Sequence, residues 1–262
     1  MSGLRSGKIW SHVSERTFGA RHRRGAGRRP GIALAAAAEG AAVAVTARRI
    51  EAAQAVADEI AARGGRATAL TCDVGDRASV EAAIAGTVAA FGKLDGLVHN
   101  AVSGFSSVPV AIEDVPEDNW DDQMRVSFRG TLHCAQAAFP ALRASGDAGG
   151  ADVQRRDRGQ SLDRALFGDE GAQRGFIKSL AREWGPLGIR VNGIAPVALT
   201  PAMDKFFELH PHMVPVISNR AALGRIGDCE SDIGAGVAFL LGPQSRFVSG
   251  QTLILTGGAY ML

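Results

Sequence analysis

The alternation of helical and strand patterns from residue 31 onward constrains the fold of this chain more than any other feature. Short, continuously apolar segments predict buried strands at residues 42–46, 67–71, 94–99, 189–194 and 251–255. Longer segments, rich in Ala or apolar at helical spacing, predict helices at residues 31–39, 50–63, 77–91, 119–142, 161–184 and 232–241. Such strands alternating with helices are typical of a parallel sheet covered on both faces. We therefore predict an α/β fold with a doubly wound parallel sheet in one domain.

The composition narrows the classes of partner. The chain has 262 residues, 46% of them hydrophobic, and a net charge of +2, so no overall field favours nucleic acid or a membrane surface. No apolar run is long and charge-free enough to span a bilayer. Cys72, Cys134 and Cys229 lie far apart without metal-ligand spacing, which is typical of core cysteines in a reducing cytoplasm. We expect a cytoplasmic protein with no metal, nucleic-acid or membrane partner.

The first 30 residues differ in composition from residues 31–262, which we assign to the domain itself. They contain eight Lys and Arg residues and a single acid, Glu15. Three interpretations remain open. The segment is a disordered basic arm that contacts polyanions, an organelle transit peptide, or a stretch that departs from the true protein sequence.

Parallel sheets of this type bind ligands beyond the carboxyl ends of their strands, so the residues after each strand are the candidates for a site. Four such segments resemble, in order and spacing, motifs of the short-chain dehydrogenase/reductase family, and of its 3-oxoacyl-acyl-carrier-protein reductases in particular. The family patterns are D-V, D-x-L-V-N-N-A-G, R-V-N-x-I-x-P-G-x-x-x-T-P and T-G-Q-x-x-x-V-D-G-G. The chain has Cys72-Asp73-Val74, Asp95-Gly96-Leu97-Val98-His99-Asn100-Ala101, Arg190-Val191-Asn192-Gly193-Ile194-Ala195-Pro196 with Thr200-Pro201, and Ser249-Gly250-Gln251-Thr252 with Thr256-Gly257-Gly258.

The resemblance implies a Rossmann-like nicotinamide-dependent oxidoreductase and assigns roles to these residues. Asp73, beside Val74, would accept a hydrogen bond from the adenine amino group. Asn100 and Ala101 would lie along the cofactor ribose. The Pro196 backbone and the Thr200 hydroxyl would hold the nicotinamide carboxamide.

Two glycines of the family patterns are replaced. Val102 and Val197 stand in their places, which alters how closely the backbone can approach a ligand. The last segment would pack at a subunit interface.

The end of the second predicted strand separates the two nicotinamide cofactors. An acid there binds the ribose 2′-hydroxyl of NAD, whereas an Arg accommodates the 2′-phosphate of NADP. The chain has Val45-Thr46-Ala47-Arg48-Arg49, with no acid and two guanidinium groups. We expect NADP(H) rather than NAD(H), through Arg48 and Arg49; a solvated basic turn is the alternative.

The family's glycine-rich loop, T-G-x-x-x-G-x-G, is not recognisable. It belongs at residues 22–30, where the chain has five Arg and Pro residues among its glycines and no apolar strand before it. For one choice of codons, shifting residues 22–30 by one base yields Thr-Gly-Gly-Gly-Arg-Gly-Val-Gly-Arg, and residues 18–21 can yield Leu-Val-Leu-Val. We hypothesise a frameshifted segment over about residues 10–30; residues 150–158, too charged for a buried strand, show a weaker version of the same pattern.

The family's catalytic residues are also replaced. Its Tyr and Lys, four residues apart on a helix, correspond to Asp169 and Gln173, and its helix Asn corresponds to Ser127. A carboxylate is ionised at neutral pH and donates no proton, and Asp169 is followed by Glu170, so a surface position is the simpler interpretation. The resemblance thus implies an oxidoreductase whose catalytic set is inactive in this chain.

Three functions remain open from the sequence. The first is an impaired NADP(H)-dependent reductase or dehydrogenase acting on a small carbonyl or alcohol substrate. The second is a non-catalytic binding or oligomerisation protein, and the third is polyanion binding through residues 1–30. The family implies a homotetramer or homodimer built on the helices near residues 119–142 and 161–184, and an apolar substrate loop at residues 201–220.

Overall fold

A parallel sheet forms the centre of the molecule. The computed structural model describes residues 8–12, 31–103, 111–145, 151–154 and 164–261. Within these residues the sheet has seven parallel strands in the order β3-β2-β1-β4-β5-β6-β7. The strands are β1 (Lys8–His12), β2 (Ala42–Ala47), β3 (Arg66–Thr71), β4 (Gly96–His99), β5 (Ala151–Gln154), β6 (Val191–Pro196) and β7 (Thr252–Leu255). The predicted doubly wound α/β fold is confirmed.

Helices cover both faces of this sheet because successive strand residues point to opposite sides. On β2, Val43 and Val45 pack against one helical layer, whereas Ala44 packs against the other. The first layer contains α1, α2 and α9, and the second contains α3, α5 and α6. The helices are α1 (Gly31–Ala38), α2 (Ile50–Ala62), α3 (Arg77–Phe91), α4 (Glu117–Gln123), α5 (Gly130–Ser145), α6 (Arg164–Trp184), α7 (Pro201–Leu209), α8 (Met213–Ser218) and α9 (Ala235–Leu241).

The strand order reverses between β1 and β4. The chain proceeds outward from β1 through β2 to β3, then returns to the other side of β1 and proceeds from β4 to β7. From β1 the chain continues to one side of the sheet and from β4 to the other, and doubly wound sheets bind their ligands at such a reversal.

The first strand lies earlier in the chain than the family pattern places it. That pattern puts the first strand within residues 1–30, directly before the glycine loop, where the sequence has no apolar segment, yet Lys8–His12 pairs with both β2 and β4, with Ile9 opposite Val43 and Gly96. A slot between two parallel strands offers backbone donors and acceptors on both sides, and these pair with any extended segment regardless of its side chains. The segments invoked for the frameshift, residues 18–21 and 22–30, lie outside the described residues.

The fifth strand corrects a second expectation. Residues 150–158 were judged too charged for a buried strand, but Ala151–Gln154 pairs with β4 on one side and β6 on the other. The strand has only four residues and ends before the arginines. Residues 155–158 lie outside the described residues.

Two helical predictions are also revised. The helix expected over residues 119–142 is divided into α4, a π-helical segment at Met124–Arg129, and α5. The substrate loop expected at residues 201–220 contains α7 and α8, because Thr200 caps the first of them and Pro201 occupies its first turn.

The cysteines and the helices bear on two further expectations. Cys72 and Cys134 are buried as predicted, whereas Cys229 is half-buried, and its thiol lies 3.4 Å from the Leu199 carbonyl oxygen. Within the described part of the chain, none of the helices combines the length and apolar character needed to cross a membrane.

Candidate active site

The strand-end residues identified from the sequence lie at the carboxyl edge of the sheet. Asp73 follows β3, Asn100 and Ala101 follow β4, Pro196 ends β6, and Thr200 precedes α7. Because the strands are parallel, the sheet brings all of these residues to its carboxyl edge, on both sides of the point where the strand order reverses.

Asp73 is held in a defined orientation by its neighbours. Its Oδ1 accepts a hydrogen bond from the Gly75 amide at 2.9 Å and lies 3.5 Å from Nη1 of Arg125. Its own amide donates to Ser79 Oγ at 3.0 Å. Both of these side-chain contacts use Oδ1.

Val74 has a different role from its neighbour. Its side chain is 2% exposed and packs in the core against α5, where a Cβ added at Gly130 would lie 2.9 Å from Val74 Cγ2. A ligand could therefore contact Val74 only through its backbone, and its carbonyl already lies 3.0 Å from Nδ1 of His133.

The basic pair after β2 is accessible to a ligand. Both Arg48 and Arg49 are exposed, directly after the buried Ala47 at the end of the strand. The charge of Arg48 reaches Asp122 at the end of α4. Burial opposes ionisation of Asp122, but hydrogen bonds from Ser103 and Arg125, with the charges of Arg125 and Arg48, hold the pKa of Asp122 below its usual value.

On the other side of the point where the strand order reverses, β6 leads into α7. Pro196 is buried at the end of the strand, and the amide of Val197 donates to the Leu255 carbonyl at 2.9 Å. The half-buried Thr200 accepts a hydrogen bond from the Met203 amide through Oγ1 at 3.3 Å, which caps α7. The hydroxyl hydrogen of Thr200 is not used in that bond, so it can still donate to a carboxamide oxygen.

Two of the three catalytic positions are brought together. Gln173 on α6 donates through Nε2 to the backbone carbonyl of Ser127, with 3.2 Å between nitrogen and oxygen. Both residues are buried, Gln173 at 5% and Ser127 at 1% exposure. Asp169 lies four residues earlier on α6, and its side chain lies outside the described residues.

The Ser127 carbonyl is available because of the helix that carries it. A π-helical segment changes the backbone hydrogen-bond pattern and leaves carbonyl groups open to side chains. The Ser127 oxygen accepts a second hydrogen bond, from Thr131 Oγ1 at 2.6 Å. Among the described residues, the buried Ser127 Oγ itself has no hydrogen-bond partner.

His99 is a buried polar residue that the sequence analysis did not single out. It is 1% exposed, and its Nδ1 lies 3.4 Å from Thr131 Oγ1. Since the Thr131 hydroxyl donates its hydrogen to Ser127, Nδ1 must carry the proton in this contact, and Nε2 is left as an acceptor without a partner among the described residues. Burial lowers the pKa of His99 to about 4, although the nearby backbone carbonyl groups of His99 and Val126 act in the opposite direction. One feature of the sequence could have drawn attention to His99: it occupies the position of the first Asn in the family pattern D-x-L-V-N-N.

The start of the first helix is packed tightly on a second segment. A Cβ added at Gly31 would collide with the backbone of Cys229 and Glu230, so a glycine is required where α1 begins. The first amides of a helix are the ordinary place for a pyrophosphate group. The residues that should form the preceding glycine loop, 22–30, lie outside the described residues.

Comparison with known proteins agrees with this geometry. A family model described as enoyl-(acyl carrier protein) reductase matches residues 19–260. The short-chain reductase protein NovJ of Streptomyces niveus is 36% identical over 244 residues, covering 89% of this chain and 91% of that protein. The 3-oxoacyl-(acyl-carrier-protein) reductase FabG of Staphylococcus aureus is 34% identical over 243 residues, covering 91% and 95%.

A solved structure extends the comparison to three dimensions. The crystal structure of a gluconate 5-dehydrogenase from Burkholderia cenocepacia, in complex with NADP and tartrate, matches with a TM-score of 0.82 and 26% identity, over 98% of this chain and 97% of that chain. The sequence matches and the structural match each span most of the chain. The chain therefore belongs to the short-chain dehydrogenase/reductase family.

Proposed function

We propose that this chain is an NADP(H)-dependent oxidoreductase that transfers a hydride between the nicotinamide and a carbonyl or alcohol substrate, with impaired turnover. The observation that carries the proposal is that Asp73, Asn100, Pro196 and Thr200 all lie at or shortly after strand ends on the carboxyl edge of a doubly wound sheet. The nicotinamide, when bound, would supply the hydride.

The residues present fit the adenosine half of the cofactor. The side-chain contacts of Asp73 use Oδ1, so Oδ2 would accept a hydrogen bond from the adenine amino group, and the exposed Arg48 and Arg49 follow the neighbouring strand without an acid among them. A guanidinium binds a phosphate through two parallel hydrogen bonds, whereas an NAD site would need a carboxylate in this place. These features support NADP(H) over NAD(H).

The catalytic half fits less well. A lysine ammonium at position 173 would favour the ionised form of a neighbouring acid and so lower its pKa. Gln173 is neutral and its amide is already bonded to Ser127. Asp169, at the position of the proton donor, is an acid that is ionised at neutral pH unless it is strongly desolvated. We therefore expect slow turnover even when cofactor and substrate are bound.

A non-catalytic binding or oligomerisation protein is the second candidate. The hydrogen bond between Gln173 and Ser127 favours it, since this pair is a satisfied structural contact that serves no proton transfer. We propose a homodimer or homotetramer in either case, formed through the exposed faces of α5 and α6. A polyanion-binding role would rest on residues 1–30.

The two candidates are separated by measuring binding and turnover on the same protein. NADPH and NADH are titrated by nicotinamide fluorescence, and NADPH oxidation is followed with simple ketones and a 3-oxoacyl thioester. We expect NADPH to bind more tightly than NADH, with slow but measurable oxidation. Binding without oxidation by any of these substrates would favour the second candidate, and the absence of nucleotide binding would refute both the cofactor and the reaction.

The double variant Asp169→Tyr with Gln173→Lys tests where the impairment lies. If the catalytic pair limits turnover, this variant oxidises NADPH at least about tenfold faster than the parent chain. Gln173→Lys alone is the matched control, because it restores the charge without the proton donor and should gain little. Equal rates for all three proteins would show that the pair is not the limiting defect.

A further inference from the structure

A chain of polar contacts lies behind the carboxylate of Asp73. Ser103, after β4, donates through Oγ to Asp122 Oδ2 at 2.6 Å. Arg125 donates through Nη2 to Asp122 Oδ1 at 2.8 Å, and its Nη1 lies 3.5 Å from Asp73 Oδ1. One guanidinium thus joins two carboxylates and, through them, connects the ends of β3 and β4 to the helix that starts at α4.

The backbone beneath the guanidinium contributes to its position. A Cβ added at Gly75 would collide with Nη1 of Arg125 and lie 3.2 Å from Asp73 Oδ1. Gly75 therefore provides the space that Arg125 occupies, and its amide holds the same oxygen of Asp73. Two donors fix Oδ1 from different directions, so the carboxylate cannot rotate freely, and Oδ2 has a defined direction.

The charges of this network are mutually stabilised. The hydrogen bond to Asp122 raises the pKa of Arg125, and the hydrogen bonds from Ser103 and Arg125 outweigh burial to lower the pKa of Asp122. Both groups are consequently charged at neutral pH. Arg125 is about one-third exposed, at 36%, so solvent weakens each pair, and the bridging geometry matters more than the pairing energy.

We propose that Arg125 is a positioning residue for adenine recognition: anchored by Asp122 and Ser103, it orients Asp73 to accept the adenine amino group. This inference rests on the proposed function, because it requires that the chain binds an adenine dinucleotide. Arg125 itself does not contact the base in this scheme. Its removal should therefore affect the selectivity for adenine more than the binding of the rest of the cofactor.

The experiment compares NADPH with its hypoxanthine analogue, in which a carbonyl oxygen replaces the adenine amino group. Dissociation constants are measured for both by nicotinamide fluorescence. We expect the parent chain to bind NADPH about tenfold or more tightly than the analogue, because a charged acceptor loses its donor. Arg125→Met should reduce this ratio to within about threefold of unity, since the carboxylate loses its orientation.

Two further variants and a control sharpen the comparison. Arg125→Lys should give an intermediate ratio, because an ammonium reaches one carboxylate but lacks the planar fork that bridges both. Asp122→Asn should also lower the ratio. Asp122 also interacts with the charge of Arg48, but losing that interaction should affect both nucleotides equally, because both carry the 2′-phosphate, and so should leave the ratio of dissociation constants unchanged. Arg77→Met, which removes an exposed arginine paired with Glu81, should retain the parent ratio.

The outcomes separate the inference from the function on which it rests. If the parent chain binds neither nucleotide, both are overturned. If it binds both equally, or if Arg125→Met keeps the full preference for NADPH, only the positioning role is overturned. Should Arg125→Met fail to fold in a thermal unfolding assay, Arg125→Lys and Asp122→Asn decide by the same ratio.

Discussion

Gln173 and Ser127 are joined by a hydrogen bond of 3.2 Å between the side-chain amide of one and the backbone carbonyl of the other. The bond links α6 to the π-helical segment before α5, and both partners are buried. The two positions that the family resemblance assigns to a lysine and an asparagine are therefore in contact, although neither residue has its family identity.

Replacing Gln173 with methionine tests how much this hydrogen bond contributes to the free energy of unfolding. Gln173→Met keeps an unbranched side chain of similar length but leaves the Ser127 carbonyl with one donor fewer. We expect the free energy of unfolding to fall by about 1 kcal/mol, measured by urea denaturation. Gln136→Met is the control: this exposed glutamine on α5 has only a long, exposed contact of 3.4 Å from Arg77 Nη1 to its Oε1, so the change should alter stability by less than about 0.5 kcal/mol. Equal effects would show that the bond contributes nothing specific.

Burial of His99 predicts a loss of stability in acid. Its pKa is about 4 in the folded chain and near 6.5 when unfolded, so the unfolded state binds more protons between these values. Keeping His99 neutral therefore costs no stability above pH 6.5, whereas the free energy of unfolding falls by about 3 kcal/mol in total as the pH decreases toward 4. Urea denaturation from pH 7.5 to 4.5 should show a shallower dependence for His99→Asn than for the parent chain.

An exposed histidine provides the control for that experiment. His212 lies exposed on the surface before α8, so His212→Asn should keep the parent pH dependence. A parent profile identical to that of His99→Asn would mean that His99 is not neutral and buried as described.

Gly130 is expected to tolerate no side chain. A Cβ there would lie 2.9 Å from Val74 Cγ2 and 3.3 Å from His99 Nε2, in the layer between the sheet and α5. Gly130→Ala should destabilise the chain by about 1–3 kcal/mol through overpacking. Gly171→Ala, at an exposed position of α6 where a Cβ meets nothing within 4 Å, should instead stabilise it by up to about 1 kcal/mol. Thermal unfolding of both variants tests this difference in sign.

Cofactor preference should depend on the arginine pair after β2. The double variant Arg48→Ala with Arg49→Ala should weaken NADPH binding by about tenfold and leave NADH binding nearly unchanged, because only NADPH carries the 2′-phosphate. Isothermal titration with both nucleotides measures the ratio. Arg77→Ala removes a positive charge elsewhere and serves as the control. A parallel loss for both nucleotides would assign the pair to a different part of the cofactor or to general electrostatics.

The regular part of the fold could be predicted from hydrophobic patterning. The helix at Arg77–Phe91 was predicted to the residue, and the strand at Ala42–Ala47 to within one residue, because their periodicities are long and uninterrupted. The strands at Lys8–His12 and Ala151–Gln154 were missed for a shared reason. Each is a short segment whose pairing depends on open neighbours on both sides, and a neighbour across the sheet leaves no local signal.

The site was predictable only in part. Family motifs singled out Asp73, Pro196 and Thr200, and the fold puts these residues at or shortly after strand ends on the carboxyl edge. The network of Ser103, Asp122 and Arg125 could not be found in this way, because its members come from different elements and meet only when the strands are aligned. The division of the helix at Met124–Arg129 was likewise hidden, since a π-helical segment retains an apolar pattern close to that of an α-helix.

The central position of β1 has a consequence for how the molecule is assembled. Within the described sheet, this strand of five residues is what connects the β2–β3 pair to the β4–β7 group. Its partner β4 begins 84 residues after the end of β1. The pairing that joins the β2–β3 pair to the β4–β7 group therefore cannot form until about the first hundred residues have left the ribosome. A substitution that weakens the pairing of β1 should therefore prevent the β2–β3 pair from docking onto the β4–β7 group, while each of the two parts keeps its own strand pairing.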